Sequence, residues 1–483
     1  MHDGIEALFH DAASLHRLVD FIYQYCNEQR TSQTYVDATD DFFGYIDRLA
    51  TGTKAFLRTS TESALPHRVD VIRTSLLSVK NYWRVLHTFI KPAADAHTLK
   101  IPSPLLNLAA EQVRQVPGMQ DANVVVLLTP ELMYFQMPHS DIKDAAINLS
   151  ATIPEARFPR NLGFVELPYS QGPSFFNNLV IYHEIGHFVY EELSNSDPPV
   201  AALDGLASEM IRCLQKNVKP DFKTLDRNTQ VYAITVLQNW VQEVFCDLFA
   251  IRLIGPAFTF ASVELFGLLG LMGITTQVKF SDSHPAQACR FSEHLRQLQA
   301  DGWWDLVKDI QAEQPQLVST IANRPSTEYQ LDLDGLPGAD FGLIPAFLDL
   351  LPAIRDSVRG LTDSARAKAD DFRCFWDHIE KCLAHGIVPS APKDPDNVTV
   401  PDPIAVINAA FCFYLSALPK LMGNLEKQDR KNLEHRSKWT RRLEMWTMKA
   451  IEDFQVWTKC QAAANERSIV SVRPTHLFPR GRS

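Results

Sequence analysis

The sequence predicts an α+β fold that is predominantly helical, with a small sheet flanked by two helical regions. Before residue 98, apolar residues recur at three- and four-residue steps, which is typical of a helix that packs on one side. The clearest stripe consists of Val69, Ile72, Leu76, Val79, Trp83, Leu86 and Ile90. Two short apolar runs, residues 122–128 and 162–167, are the candidate strands; the first is rich in β-branched residues and the second ends at a proline.

Prolines and composition divide the chain into three expected regions. A Pro-Ser-Pro string at 102–104 follows the first helical region, which we place at residues 1–98. Residues 99–300 contain both candidate strands and form the expected core, and residues 301–483 are again mostly helical. A proline-rich stretch at 388–403 interrupts this last region and predicts a long surface loop or linker.

Composition and charge argue against several classes of protein. The formal net charge of −10 disfavours a general nucleic-acid binder, and the basic stretch at 427–442 is interspersed with acidic residues. The amino terminus is acidic where a signal peptide would be basic, and the eight cysteines are scattered, so we expect a cytoplasmic protein with reduced thiols. The apolar stretch at 256–276 contains Glu264 and three glycines, so we expect a buried helix and no membrane span.

The string His-Glu-Ile-Gly-His at residues 183–187 says most about function. In a helix, which Ser174 could cap, His183 and His187 lie one turn apart on the same face, where two imidazoles can share a zinc ion. Glu184 lies about 100° around the helix, from where its carboxylate can act as a general base on a metal-bound water. The alternative is a buried amphipathic helix whose two histidines are partnered by other polar groups.

A catalytic zinc ion normally takes three protein ligands, so a third ligand must come from elsewhere in the chain. Glu243 and Asp247 lie one helical turn apart within a mostly apolar run, and they point the same way. We predict that Glu243 ligates the metal and that Asp247 accepts the far N–H of a ligand histidine. Glu209 is the main rival ligand, but no aspartate follows it one turn on. Alternatively, Glu243 is a surface carboxylate paired with a basic residue such as Arg252.

These residues resemble the metal site of the zincin metallopeptidases, in particular the thermolysin-like group, in which His-Glu-x-x-His is followed downstream by Glu-x-x-x-Asp. The matching residues are His183, Glu184, His187, Glu243 and Asp247. The resemblance implies a zincin-like metallopeptidase core within residues 99–300, one zinc ion per chain and zinc-dependent hydrolysis of peptide bonds.

A second and shorter resemblance concerns residues that could complete the site. His284-Pro285 followed by Arg290 is similar to a His-Pro and an arginine in zinc proteases related to the CaaX-processing enzymes. His284 therefore joins Glu184 in the expected catalytic set, held at the start of a helix with Pro285 in its first turn. Arg290 and Tyr169 are candidate contacts for the substrate or its oxyanion. The alternative is that the helix start merely orders this histidine and that the arginine pairs with a nearby carboxylate.

The expected reaction is hydrolysis of a peptide or protein substrate. Zinc lowers the pKa of its water, Glu184 takes the proton, and the nucleophile attacks a peptide carbonyl held along the strand near residues 164–168. Glu184 then returns the proton to the leaving amine. The alternative function is a zincin-scaffold protein that binds or regulates without cleaving. The helical flanks could gate the site or bind a regulatory partner.

Overall fold

The structure, a computed structural model, divides the chain into two compact units, Met1–Ala367 and Lys368–Ser483. The fold is predominantly helical with a small sheet, as the sequence predicts. The described residues are 2–31, 37–62, 68–98, 102–129, 135–136, 146–159, 162–168, 174–196, 200–219, 222–268, 279–313, 329–332, 342–389, 401–417 and 432–466.

Four helices precede the sheet in the first unit. They are α1 (His2–Thr31), α2 (Asp37–Glu62), α3 (Val69–Thr98) and α4 (Ser103–Val113). The predicted stripe on α3 is part of the core, because its central members are each 3% exposed or less: Leu76, Val79, Trp83, Leu86 and Ile90. Burial of this face against α1 and the sheet explains why a helix forms here, since most helical stability in proteins comes from such packing.

In the part of the chain that the structure describes, the main sheet has three strands in the order β1, β3, β2. The strands are β1 (Asn123–Thr129), β2 (Phe135–Gln136) and β3 (Leu162–Pro168). β1 and β3 confirm the two predicted strands, and they pair in parallel along their whole length. β2 pairs antiparallel to β3 at Glu166 and Val165. β3 is therefore the middle strand, and all seven of its residues are buried.

Both faces of β3 are covered by helices. On one face, the ring centroid of Phe164 lies 5.2 Å from that of Phe42 in α2 and 5.1 Å from that of Phe89 in α3. On the other face, a Cβ at Gly163 would come within 2.7 Å of the Phe188 ring. The expected boundary after residue 98 thus falls inside one continuous core, because α2 and α3 cover a face of the sheet and α1 packs on both of them.

The remaining helices of the first unit surround the candidate site. They are α5 (Ile181–Ser194), α6 (Ala201–Asn217), α7 (Arg227–Ile254), α8 (Pro256–Leu268), α9 (Gln287–Ala300), α10 (Trp304–Glu313) and α11 (Leu343–Thr362). A second, parallel pair of strands consists of β4 (Lys279–Phe280) and β5 (Gln330–Leu331). α11 packs on α6, where the Ser357 hydroxyl donates to the Ala202 carbonyl over 2.8 Å. The expected boundary at residue 300 therefore also falls inside this unit.

The second unit contains α12 (Ala369–Ala384), α13 (Pro403–Cys412) and α14 (Asn432–Glu466). α13 begins directly after Asp402, whose carboxylate accepts the backbone N–H of Ile404 over 2.8 Å. Residues 390–400 of the predicted proline-rich loop lie outside the described residues. Of the helices that the structure describes in either unit, none is both long and apolar enough to cross a membrane.

Candidate metal centre

The His-Glu-Ile-Gly-His string lies in α5, as the sequence predicts. A short 3₁₀ turn at Asn177–Val180 leads into the helix, and the Ser174 hydroxyl accepts the backbone N–H of Asn177 over 3.3 Å. His183 and His187 share one face of the helix. Their Nε2 atoms are 3.1 Å apart, and their ring planes are inclined by 84°. Two nitrogen lone pairs are therefore available at one point on this face.

The carboxylates reach the histidines because α5 and α7 cross at very short range. A Cβ at Gly186 would lie 2.8 Å from the Cα atom of Cys246, so only glycine permits this approach. Cys246 is fully buried and lies between Glu243 and Asp247 in the sequence. The crossing therefore places one turn of α7, with both carboxylates, directly against the histidine pair.

Gln112 of α4 helps to hold the two crossing helices together. Its side-chain carbonyl accepts the hydroxyl of Tyr182 in α5 over 2.7 Å, and its amide donates to the carbonyl of Leu253 in α7 over 2.8 Å. All three contacting groups are buried, so these hydrogen bonds are shielded from water. Tyr182 is fully buried where the two helices cross.

Three side chains offer a ligand atom to a single point: His183, His187 and Glu243. The two carboxylate oxygens of Glu243 lie 3.5 Å from His183 Nε2 and 3.4 Å from His187 Nε2. Ligands held about 2.0–2.1 Å from a tetrahedral zinc ion are about 3.4 Å from one another. The observed separations of 3.1, 3.4 and 3.5 Å are of this size, and the two distances from Glu243 involve its two different oxygens. The donor set therefore fits a zinc ion, and the rival Glu209 instead pairs with Arg212.

Asp247 lies behind His183, where the sequence predicts it. Its Oδ1 atom is 2.9 Å from His183 Nδ1, although the oxygen lies off the direction in which the ring N–H points. A histidine that ligates a metal through Nε2 carries its proton on Nδ1, so the aspartate faces the nitrogen that would be protonated.

Arg290 of α9 binds both carboxylates of α7. Its Nε and one terminal nitrogen donate to the two oxygens of Asp247 over 2.6 and 2.7 Å. The other terminal nitrogen lies 2.9 Å from a Glu243 oxygen. Arg290 is only 8% exposed. The guanidinium thus fixes the two carboxylates, and this burial leaves little of it for the substrate or oxyanion contact considered from the sequence.

The buried charges of the centre alter one another's pKa values. Burial alone would raise the pKa of Glu243 and of Asp247, but Arg290 and His183 hold both pKa values well below their usual range. Burial alone would lower the pKa of His183, whereas contacts with the two carboxylates raise it to about 10. A metal ion that binds here therefore has to displace a proton from His183.

Glu184 differs from the other two carboxylates of the centre. It is 7% exposed, yet it makes no hydrogen bond or ion pair with any residue that the structure describes. Neither of its oxygens is among the enclosed atoms that lack a hydrogen-bond partner, so the carboxylate keeps access to water, as a base that acts on a water needs. Its position next to His183 in α5 agrees with the base predicted from the sequence.

His284 lies at the exposed side of the centre, with its Nε2 atom 3.6 Å from a Glu243 oxygen and its side chain 52% exposed. It belongs to a tight loop in which the Ser281 hydroxyl accepts its backbone N–H over 3.1 Å. The indole N–H of Trp240 donates to the Ser281 carbonyl over 2.6 Å and so ties the loop to α7. α9 begins at Gln287, so the loop rather than a helix start holds His284, and Pro285 precedes the helix.

Two further residues concern this site: Tyr169, which was predicted, and His294, which was not. Tyr169 lies outside the described residues. His294 was not predicted, although its Nε2 atom is 3.1 Å from Asp247 Oδ2. The sequence contained a signal for it, because His294 follows Arg290 by four residues and so shares its face of α9.

Comparisons with known proteins do not identify a family for this chain. The chain matches no protein family, and neither the search of curated proteins nor the search of solved structures found a match.

Proposed function

We propose that this protein is a zinc-dependent metallopeptidase that holds one zinc ion with His183, His187 and Glu243. The observation that carries the proposal is the approach of His183, His187 and Glu243 to one point beside Glu184, a carboxylate that has no hydrogen bond or ion pair with any described residue. The two groups serve different tasks, since the ligands need electron pairs directed at a metal and the base needs a free carboxylate. The zincin resemblance of the motif supports the same reading.

The proposed chemistry divides the roles among the chain's own residues. Zinc would supply Lewis acidity, which lowers the pKa of water to about 7 and polarises a carbonyl. Glu184 takes a proton from the attacking water and returns it to the leaving amine. Asp247 and Arg290 hold the ligands in place from behind. His284, on the exposed side, is placed to donate a hydrogen bond to the oxyanion of the substrate.

The position of β3 changes the expected route of the substrate. β3 pairs with a strand on each side at Val165 and Glu166, so a peptide cannot add to it there. The described sheet has two outer strands, β1 and β2, and β2 contacts α5, the helix that carries the motif. We therefore propose that an extended peptide, if it binds by strand addition, pairs with β2.

None of the eight cysteines, all of which the structure describes, forms a disulfide, which supports a reducing compartment such as the cytoplasm. A cytoplasmic peptidase needs restricted access to its site. The burial of His183, Glu243 and Glu184 accords with that requirement.

The test compares the full-length wild-type chain with Glu184→Gln and with Glu192→Gln, a matched control on the same helix. We expect one zinc ion per chain in all three proteins by elemental analysis. We expect new peptide termini, detected by proteomics, to depend on Glu184, with Glu184→Gln lowering cleavage by about 100- to 10,000-fold.

Three results would count against parts of the proposal. Wild-type protein without stoichiometric zinc contradicts the metal site. Zinc together with equal cleavage by Glu184→Gln contradicts the role of the base. Zinc without cleavage by any variant favours the alternative function, a zincin-scaffold protein that binds or regulates without cutting.

A further inference from the structure

His294 occupies an apolar slot behind the metal centre. The residue is 2% exposed and lies in α9, one turn beyond Arg290. The centroid of its ring is 4.9 Å from that of Phe291 and 5.6 Å from that of Phe258. An apolar ring would suit these two neighbours without any polar atoms to satisfy. A buried imidazole at this position therefore requires a polar partner.

The polar partner of the His294 imidazole is Asp247. Within the part of the chain that the structure describes, neither ring nitrogen of His294 makes a well-directed hydrogen bond, and its Nε2 atom lies 3.1 Å from Asp247 Oδ2. Among described residues, no other polar contact accounts for the burial of this ring. The imidazole thus lies against the carboxylate that supports the ligand His183.

The contacts of Asp247 are evenly divided between its two oxygens. Oδ1 lies 2.7 Å from a terminal nitrogen of Arg290 and 2.9 Å from His183 Nδ1. Oδ2 lies 2.6 Å from Arg290 Nε and 3.1 Å from His294 Nε2. Each oxygen of Asp247 therefore accepts one hydrogen bond from Arg290 and lies beside one imidazole nitrogen. These four contacts direct Asp247 toward supporting its neighbours.

We infer that His294 is a positioning residue of the metal centre. Together with Arg290 it holds Asp247 from the side of α9, and this fixes the oxygen that faces His183. Without His294, Oδ2 would keep contact with Arg290 alone, the carboxylate could rotate, and His183 would be held less firmly toward the metal. This inference rests on the proposed zinc site. It adds the contact of His294 with Asp247, which itself supports the ligand His183.

The experiment uses the full-length chain with His294→Phe, which keeps a ring in the slot, and His294→Gln, which restores a polar group. Leu298→Ala, one turn further along α9 and outside the centre, is the control for a general loss of packing. Two quantities are measured: the rate at which zinc is released to a chelator, and the visible absorption spectrum of the cobalt(II)-substituted protein.

We expect His294→Phe to release zinc about 3- to 10-fold faster and to alter the cobalt spectrum, because contacts behind a ligand change metal affinity by about 10- to 100-fold when the direct partner is lost. His294→Gln should recover most of both properties. Leu298→Ala should lower the melting temperature and leave zinc release and the spectrum unchanged. If His294→Phe does not fold, His294→Met carries the same expectation.

Unchanged zinc release and an unchanged cobalt spectrum in His294→Phe overturn the inference and leave the proposed function intact. Equal losses in His294→Phe and Leu298→Ala also overturn it, because they show a packing effect alone. A wild-type chain that retains no zinc contradicts the proposed function and this inference together.

Discussion

Helix α7 carries two buried clusters of charge that differ in what lies at their centre. In the metal centre, Glu243 and Asp247 are surrounded by nitrogen atoms from α5 and α9. In the second cluster, Arg252 is surrounded by oxygen atoms. Its guanidinium donates to Asp301 over 2.6 Å and to Thr362 over 3.0 Å, and it also binds Asp363.

The comparison separates a structural cluster from a candidate site. The Arg252 cluster joins α7 to the ends of α9 and α11, and every group in it is paired within the chain. The metal centre has equally strong ion pairs, but in addition it directs three ligand atoms at one point. Buried charge alone therefore does not mark a site. Convergence of electron-pair donors beside an unpartnered carboxylate does.

The largest expected effect is the loss of a ligand. Glu243→Ala should lower zinc affinity by about 1,000-fold, because a structural zinc ion gains about 10–16 kcal/mol from its full ligand set and one ligand of three is removed. Affinity can be measured by competition with a chromophoric chelator. Asp301→Ala, which removes a carboxylate from the other cluster, is the control and should keep its zinc. Similar zinc affinities in the two variants would contradict the proposal that only the first cluster binds zinc.

The next effect is the loss of Arg252, whose guanidinium is the cation of the second cluster. Arg252→Met should lower the free energy of unfolding by about 3 kcal/mol, because breaking a buried ion pair leaves Asp301 buried without its partner. Asp363 is largely exposed, so it adds little to this cost. Denaturant unfolding followed by far-ultraviolet circular dichroism measures the change. Zinc content should stay at the wild-type level, and a loss of zinc would mean that the two clusters are coupled.

A third effect is a dependence of stability on pH that is specific to the candidate metal centre. In zinc-free protein, the raised pKa of His183, about 10, stabilises the fold fully below pH 6.5, and this contribution is lost as the pH rises toward 10. Glu243 and Asp247 act in the opposite direction, since their lowered pKa values contribute stability that is lost on acidification.

We therefore expect the melting temperature of zinc-free protein to fall between pH 6.5 and 9.5. Zinc-loaded protein should not show this fall, because zinc binds the unprotonated histidine and alkaline pH favours that form. His183→Gln in its zinc-free form is the control and should have a flatter profile. An equal slope in zinc-free and zinc-loaded protein would contradict the assignment of the effect to His183.

The sequence predicts the parts of the centre that depend on local periodicity. His183 and His187 share a face because they lie one turn apart in a helix, and the same spacing relates Glu243 to Asp247. The position of Arg290 could not be predicted in this way, because it depends on how α9 packs against α7. For the same reason its contact with both carboxylates could not be predicted.

Long-range packing also explains the differences in the fold. The sequence pattern located β1 and β3, but β2 has only two described residues and no detectable alternation, so the middle position of β3 could not be predicted. Prolines near residue 102 correctly mark a break between helices. They do not mark a domain boundary, because Phe164 packs against Phe42 and Phe89, which precede the break. Local sequence does not reveal such packing.

The crossing at Gly186 and Cys246 has a consequence for finding related chains. The position before the second histidine is usually left open in patterns for such motifs, yet here a Cβ would meet the Cys246 backbone at 2.8 Å. A search pattern for chains with this same centre should require glycine at that position and a small residue immediately before the downstream aspartate. Such a pattern would discard most chance occurrences of two histidines and a glutamate, because it tests whether two helices can approach closely enough to share an ion.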